Sequence, residues 1–333
     1  MKLTSTLIVA SLSVFGIASC GGGGDGSNNS TPPPAVILAT VDSANAAKVT
    51  KVATGAALET SEIGGMTDLT GLTASAPGGV SKTGPLAAAT SQAQGMLRNY
   101  TFSSVPIPPQ TQLCAVSGSM TISGDLADLN TFTAGDEINI DSDMCDDGSG
   151  TVIDGLLEMT IASFEGDINT GELLFGVDLV VTDFMVTESG ETTTANGDIG
   201  TTIDTRTPPI SEGSVFGDIF SVAGMGKTET ISSFSTIYTE DASTFPINWT
   251  NNSMGTVDSS GFTGAVTYEA LVTFEGSGEN YPHTGQLLVT GANNATLLVR
   301  VIDDTRVEID ADYDGINGVD ETIMMTWAEL EQL

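Results

Sequence analysis

The sequence predicts a mainly β protein, a long-stranded antiparallel meander that forms a sandwich or a partly closed barrel and follows two short helices. Apolar and polar residues alternate over long stretches of residues 113–333, and turn signals separate these stretches. The connections are too short to join parallel strands, so neighbouring strands must be antiparallel. We therefore expect a single β domain of about ten strands after residue 112.

The strands of this domain differ in how clearly they alternate. The stretch FTGAVTYEALVTFEG is the clearest, with apolar residues at Phe262, Val266, Tyr268, Ala270, Val272 and Phe274. The stretches IDGLLEMTIASF and GELLFGVDLVVTDFMVT are further long strands, and the second is partly apolar on both faces, so we expect both of its sides to be covered. Turn signals lie at 169–171, 188–191 and 258–261.

Residues 35–112 are a mixed helical and loop region. Ser43 is a candidate N-cap for a first helix whose apolar face holds Val49, Val52, Ala53 and Ala56. A second helix is predicted to begin at Pro85, because proline is favoured at the first helical position. The proline-rich segment 105–112 reads as an extended connector and as the boundary to the β domain.

The first residues predict export. Lys2 precedes an apolar stretch, Leu7–Ile17, that is too short to span a bilayer, so residues 1–19 are predicted to be a signal peptide. The sequence IASC at positions 17–20 resembles the lipobox of bacterial lipoproteins. That resemblance implies cleavage before Cys20, a diacylglycerol group on its sulfur and acylation of the new amine. Several acyl chains on one residue suffice for stable membrane anchoring.

Residues 20–34 are predicted to be a flexible tether, because glycine, serine and proline dominate them and none can form a core. Gly21 follows the lipidated position. In enteric lipoproteins Asp at this position signals retention in the inner membrane, so the resemblance implies the outer membrane for this chain.

The remaining two cysteines, Cys114 and Cys145, are predicted to form a disulfide, because an exported protein folds in an oxidising compartment. On the chain-entropy account such a bond disfavours the unfolded state by roughly 3–4 kcal/mol. Two free thiols or a metal site with two cysteines are the alternatives, and both rank below the disulfide because no further Cys and no His lies nearby.

The net charge of −34 arises from 43 acidic and nine basic residues. A chain this acidic repels nucleic acids and anionic lipid head groups, so neither is an expected partner. The hydrophobic content of 40% and the clear strand patterns argue against disorder beyond the tether.

The segment IDADYDGINGVDE, residues 309–321, fits the EF-hand calcium-loop pattern at every defined position. The predicted Ca²⁺ ligands are Asp310, Asp312, Asp314, the carbonyl of Ile316, and Glu321. Alternate carboxylates can point inward from a tightly wound loop, and Ca²⁺ takes six to eight oxygen ligands.

Two departures weaken the full EF-hand interpretation. Asn317 stands where the pattern usually has an apolar residue, and the preceding residues alternate like a strand rather than a helix. The segment therefore resembles an extracellular DxDxDG calcium site without the entering helix, with a dissociation constant on the order of 10⁻⁴–10⁻³ M and a structural role. The alternative is a polar hairpin turn in an Asp-rich chain.

No catalytic motif is present in the sequence. His283 is the single histidine, no G-x-S-x-G or phosphate-binding glycine loop occurs, and zinc would lack ligands. Trp249 and Trp327 are expected to be core residues. We therefore expect a protein that is not an enzyme, although paired carboxylates that act on glycans stay open as a third hypothesis.

Several features together resemble lipoproteins of Gram-negative bacteria. They are the lipobox, SANA at 43–46, the cysteine pair, YPHTGQLLVTGA at 281–292, the DxDxDG loop and TWAEL at 326–330. The resemblance brings no activity with it.

Our first hypothesis is a lipid-anchored β domain with a structural or binding role at the outer membrane. The second is a carrier or chaperone for a hydrophobic ligand, because the strands and helices resemble the half-barrel and helical lid of periplasmic lipoprotein carriers.

Overall fold

The structure, a computed structural model, describes residues 36–63, 106–128, 132–146, 148, 150–167, 171–188, 190–224, 226–278, 280–316 and 318–333. Contacts group Val36–Leu333 into one compact unit. The predicted signal peptide, the tether with Cys20, and the helix predicted from Pro85 lie outside the described residues.

In the described part of the chain, fourteen strands form one antiparallel sheet in which each strand pairs with the next along the sequence. The strands are β1 Ile107–Leu113, β2 Ser117–Asp125, β3 Glu137–Asp146, β4 Thr151–Asp167, β5 Glu172–Glu188, β6 Glu191–Thr207, β7 Ile210–Gly224, β8 Lys227–Asp241, β9 Asn248–Ser259, β10 Ala265–Ser277, β11 Thr284–Thr290, β12 Thr296–Val301, β13 Arg306–Asp312 and β14 Glu321–Thr326. The helices are α1 Ala46–Ile63 and α2 Trp327–Glu331, with a 3-10 helix at Ala292–Asn294. The predicted antiparallel meander is confirmed, and the sheet is not closed.

The sheet has more strands than the sequence predicts, and one of them lies in the predicted connector. Strand β1 contains Pro108 and Pro109, which signal a break in a strand. Proline is tolerated at a sheet edge, because an edge strand needs hydrogen-bond donors on one side only, and β1 is an edge of this sheet.

Helix α1 begins at Ala46, and the residue that caps it lies one position before the predicted Ser43. The Asp42 carboxylate accepts hydrogen bonds from the backbone N–H groups of Ala44 (2.9 Å) and Asn45 (3.1 Å), so Asp42 rather than Ser43 caps the helix. The predicted apolar face is confirmed: the buried residues of α1 include Val49, Ala53 and Ala56. This face packs mainly on β8, β9 and β10. Among the described residues, no helix is long and apolar enough to cross a membrane.

Two hydrophobic clusters form the core. The first consists of residues from β1–β8 and the segments beside them, and its largest fully buried side chains include Ile138, Leu157 and Leu179. The second combines α1, the chain before it, β9–β14 and α2, and contains both tryptophans, Trp249 and Trp327. Both tryptophans are buried, which confirms the prediction that they are core residues.

A row of β-bulges crosses the long strands. Register shifts follow one another between Ser142 and Cys145, Asp154 and Leu156, Val181 and Phe184, Gly197 and Gly200, and Ser232 and Ser235. A bulge bends its strand and increases the local twist. We call this feature the bulge row, and it lets strands of 15–17 residues curve while one face stays apolar.

Side chains from neighbouring strands accept the hydrogen bonds of bulged residues. Asp183 has a φ of 46°, and its N–H donates to Asn196 Oδ1 at 2.7 Å. The N–H of Asp218 likewise donates to Asp198 Oδ2 at 3.2 Å. A backbone N–H that leaves the strand ladder needs such a partner, so these side chains stabilise the bulges.

The cysteine pair forms the predicted disulfide. Cys114 follows β1 and Cys145 lies in β3, with their Cα atoms 5.5 Å apart. Because β2 lies between these two strands, the bond ties together the three strands at one edge of the sheet.

A row of buried polar residues lies at the border between the two clusters, and the partly buried Ile231 packs against both of them. Thr236 in β8 pairs with Ser253 in β9, and Tyr238 pairs with Asn251. All four side chains are buried, and the side-chain oxygens of Thr236, Ser253 and Asn251 have no hydrogen-bond partner in the described residues. The next β8 residue on this face is Glu240, whose pKa burial raises to about 7, partly offset by a hydrogen bond with Ser211.

Candidate metal centre in the β13–β14 hairpin

The predicted calcium segment forms the turn of a β-hairpin. Strand β13 ends at Asp312 and β14 begins at Glu321, and Ala311 and Glu321 form the last pair of the ladder. The prediction that a strand rather than a helix enters the loop is confirmed. A strand places alternate residues on one face, so Asp310 and Asp312 share the face opposite Ile309 and Ala311, which are fully buried.

Three carboxylates converge in this turn. Asp312, Asp314 and Asp320 each offer an oxygen, and these oxygens lie within 4.8 Å of one another. Asp312 ends β13, Asp314 lies in the turn, and Asp320 immediately precedes β14. The group is partly or fully exposed, and it could bind a metal ion.

Backbone N–H groups orient the three carboxylates. Gly315 donates to Asp312 Oδ1, Ile316 donates to Asp314 Oδ1, and both distances are 2.8 Å. Tyr313 donates its N–H to Asp320 Oδ2, also at 2.8 Å. These bonds occupy one oxygen of each carboxylate and hold the side chains towards the turn.

The structure places two of the predicted ligands elsewhere. Asp310 forms an ion pair with Arg300 of β12 and accepts a hydrogen bond from Thr322 Oγ1 at 2.7 Å. Glu321 accepts a hydrogen bond from the Tyr313 hydroxyl at 2.6 Å. Of the five predicted ligands, Asp312 and Asp314 are therefore in the cluster, and Ile316 is bonded to it through its N–H.

Sequence reasoning missed Asp320. The EF-hand pattern assigns its last position to Glu321, but a hairpin returns the chain through the residue before β14, which is Asp320. The backbone N–H of Asp320 donates to the carbonyl of Ala311 at 2.7 Å, which brings the two ends of the turn together. The alternation of apolar and polar residues on both sides of the segment predicts a hairpin rather than a helical loop. A hairpin would have pointed to Asp320 as a candidate ligand.

The turn packs against the connection between β11 and β12. A Cβ at Gly315 would lie 2.9 Å from the carbonyl oxygens of Asn293 and Asn294, and Gly315 has a φ of 67°. Gly315 is therefore required both for the backbone conformation and for this contact. The contact holds the carboxylate cluster against the body of the sheet.

The electrostatic environment of the turn is negative. Burial raises the pKa of Tyr313, and so do its hydrogen bond to Glu321 and the nearby charges of Asp320 and Asp42. At the neighbouring position, the hydrogen bond from Arg300 lowers the pKa of Asp310. Arg300 thus neutralises Asp310 within the strand, whereas none of the ion pairs in the described residues involves the three clustered aspartates.

The chemistry of the cluster suits a hard cation. Carboxylate oxygens are the preferred ligands of Ca²⁺ and Mg²⁺ and are poor ligands for soft metals. Two oxygens on opposite sides of a Ca²⁺ ion are about 4.8 Å apart, since Ca–O distances are roughly 2.4 Å. The spacing of the three oxygens is compatible with a shared ion of this size.

The histidine considered for catalysis lies in the connection between β10 and β11. The backbone N–H of His283 donates to the carbonyl of Glu275 at 2.8 Å, which makes it part of the turn. Nearby, the rings of Tyr281 and Trp327 stack with centroids 5.5 Å apart, so this connection packs on α2.

Comparison of the chain with models of protein families, with curated proteins and with solved structures finds no match.

Proposed function

We propose that the β13–β14 hairpin binds Ca²⁺ as a structural ion in a lipid-anchored, extracytoplasmic β protein. The observation that supports it is the convergence of Asp312, Asp314 and Asp320 within 4.8 Å. Three carboxylates at this distance repel one another unless a cation neutralises them. The bound ion therefore stabilises the folded hairpin relative to the unfolded chain.

The proposed side-chain ligands are Asp312, Asp314 and Asp320, and the carbonyl of Ile316 and water complete the coordination. Glu321 instead accepts a hydrogen bond from the Tyr313 hydroxyl, and Asp310 forms an ion pair with Arg300. Ca²⁺ suits this set better than Mg²⁺, because Ca²⁺ accepts irregular geometry and a partly exposed site, whereas Mg²⁺ demands near-ideal octahedral coordination.

Thermal unfolding of residues 21–333, which include the whole compact unit, tests the metal site. With a dissociation constant of about 10⁻⁴–10⁻³ M, roughly 10 mM Ca²⁺ stabilises the folded state by about 1.4–2.7 kcal/mol. We expect the melting temperature to rise by about 3–6 °C over the value in chelator. Equal concentrations of Mg²⁺ should give a smaller rise.

Two isosteric variants separate the structural cluster from the sequence pattern. Asp320→Asn should abolish most of the calcium-dependent rise, because it removes a proposed ligand. Asp310→Asn should lower the melting temperature without calcium, because it breaks the ion pair with Arg300, yet keep the calcium-dependent rise. The cluster would be ruled out as the site if wild type showed no rise, or if Asp310→Asn alone abolished it.

We further propose that Cys20 carries the lipid anchor, that the chain resides at the outer membrane, and that its role there is structural or in binding rather than catalytic. The lipobox-like IASC supports the anchor, and the Cys114–Cys145 disulfide supports an oxidising compartment. We expect the chain expressed in a Gram-negative bacterium to incorporate a labelled fatty acid and to sediment with outer membranes. Cys20→Ser should lose both properties, and a label retained by Cys20→Ser would contradict the anchor.

The packing of the first cluster favours the structural role over the hydrophobic carrier. The buried Phe175 and the partly buried Phe132 and Phe164 pack against one another there, with ring centroids 6.2–6.3 Å apart. Such side chains occupy the volume that an apolar ligand would need. Lipid extracted from the purified protein at a stoichiometric amount would instead support the carrier.

A further inference from the structure

A pocket lies on the bulge row, far along the sequence from the metal centre. Its volume is about 420 Å³, and strands β5–β8 form it. Its lining includes Asp178, Val180, Asp198, Phe216 and Asp218. A volume of this size is within the range of small-molecule sites, which is roughly 300–1,000 Å³.

One wall of the pocket is apolar and accessible. Asp178 pairs with Gly200, and Gly200 pairs with Phe216, so these three residues form one row across β5, β6 and β7. A Cβ at Gly200 would lie 2.3 Å from the Phe216 ring, so the ring occupies the space above the glycine. Phe216 is nevertheless 43% exposed and Val180 is 45% exposed. Both can therefore contact a ligand.

The other wall is anionic. The Asp198 carboxylate holds the N–H of Asp218 at 3.2 Å, which fixes it beside the bulge in β7. Asp178 and Asp218 are exposed in the same pocket. In the part of the chain that the structure describes, the ion pairs of Arg206, Arg300 and Arg306 are formed with acids elsewhere. Three carboxylates thus share the pocket with an aromatic ring and lack an ion-pair partner within these residues.

We propose that this pocket binds a small organic cation, an amine or quaternary ammonium group on an apolar body. The carboxylates complement the positive charge, and the face of Phe216 attracts a cation through its ring quadrupole. Val180 and the ring take up the apolar body. A metal ion suits the pocket less well, because Ca²⁺ needs six to eight oxygen ligands and much of this wall is hydrocarbon.

Calorimetric titration of residues 21–333 with benzyltrimethylammonium tests the proposal. Benzyl alcohol serves as the neutral control, and sodium chloride at matched ionic strength controls for screening. We expect saturable binding of the ammonium compound and no saturable binding of the alcohol. The double variant Asp178→Asn/Asp198→Asn should weaken binding by at least about tenfold, because it removes two negative charges that attract the ammonium group.

A matched variant removes the same charge elsewhere. Asp141→Asn/Asp143→Asn changes two exposed aspartates of β3 outside the pocket, and it should leave the affinity unchanged. Phe216→Leu keeps an apolar side chain over Gly200 but removes the ring, and it should weaken the binding of the ammonium compound. The proposal would be overturned by no saturable binding, by equal binding of benzyl alcohol, or by equal losses in the two double variants, which would indicate net charge alone.

Discussion

The two ends of the sheet build their cores in different ways. Strands β4–β8 have 15–17 residues, and register shifts interrupt the pairing of β3–β7 and of β8 with β9. Strands β11–β14 have six or seven residues, and their mutual pairing is uninterrupted. Helices α1 and α2 contribute to the cluster at the second end.

Both ends of the sheet alternate apolar and polar residues, yet they bury the apolar face in two different ways. The short, regular strands β11–β14 bury their apolar face in a cluster that also contains α1 and α2, and they need little bending. Long strands accumulate twist, so the sheet must bend to keep a single face against its own core, and bulges supply that bend. The bulge row is therefore expected to be most sensitive to substitution where backbones approach closely.

The largest expected effect is at Gly197 in the bulge row. A Cβ there would lie 2.2 Å from the Ile219 carbonyl oxygen, and the φ of Gly197 is 134°. We expect Gly197→Ala to lower the free energy of unfolding by about 4 kcal/mol or more, measured by urea unfolding.

Gly226 is the matched control for Gly197. It also has a positive φ, 74°, but a Cβ there would meet no atom within 4 Å. We expect Gly226→Ala to cost only about 1 kcal/mol, because it adds conformational strain without a collision. Equal losses of unfolding free energy in the two variants would show that the close backbone approach at Gly197 adds nothing to the cost of the substitution.

The second effect concerns the disulfide at the edge of the long-stranded end. The bond closes a loop with a sequence separation of 31 residues. We expect Cys114→Ala/Cys145→Ala to lose about 3–4 kcal/mol of unfolding free energy. Hydrogen exchange should accelerate in β1–β3 and stay unchanged in β11–β14. Faster exchange across both ends would mean that the two cores unfold as one unit.

The smallest effect lies at the border between the two cores. Glu240 pairs with Trp249 of the second cluster, and burial raises the pKa of its carboxyl to about 7. Between pH 4.5 and 7 the unfolded chain releases this proton while the folded chain keeps it. Folding stability therefore falls as pH rises through this window, by about 3 kcal/mol in all.

The variant Glu240→Gln should remove this pH dependence. We expect its melting temperature to exceed that of wild type by about 5 °C at pH 8 and to be similar at pH 4.5. Glu229→Gln is the control, because Glu229 is exposed on the same strand. If the two variants melted alike at pH 8, burial of Glu240 would not be the cause.

The sequence predicts the pattern of the fold better than its extent. At each predicted turn, 169–171, 188–191 and 258–261, one strand ends and the next begins within a few residues, and the predicted apolar face of β10 is largely buried. About ten strands were expected rather than fourteen. Strands such as the Thr- and Gly-rich β6, ETTTANGDIGTTIDTRT, alternate less clearly in apolar character and are harder to predict. The glycines of β6 serve the bulge row, which periodicity does not predict.

The candidate metal centre shows the same limit. Residue spacing identifies Asp312 and Asp314, since both lie near the turn in sequence. Spacing also suggests Asp310, but the register between β12 and β13 brings Arg300 next to it and removes it from the cluster. Asp320 joins because the hairpin closes through it.

The sequence alone predicts an export signal, and it determined the choice of apolar face on each strand and the two cysteines available for a bond, because these depend on composition and on neighbours along the chain. The tertiary structure alone decided the bulge row, the partner of Asp310, the raised pKa of Glu240 and the β5–β8 pocket. Each of these depends on which residues of separate strands lie opposite one another, and a shift of one residue in register would change every such pair.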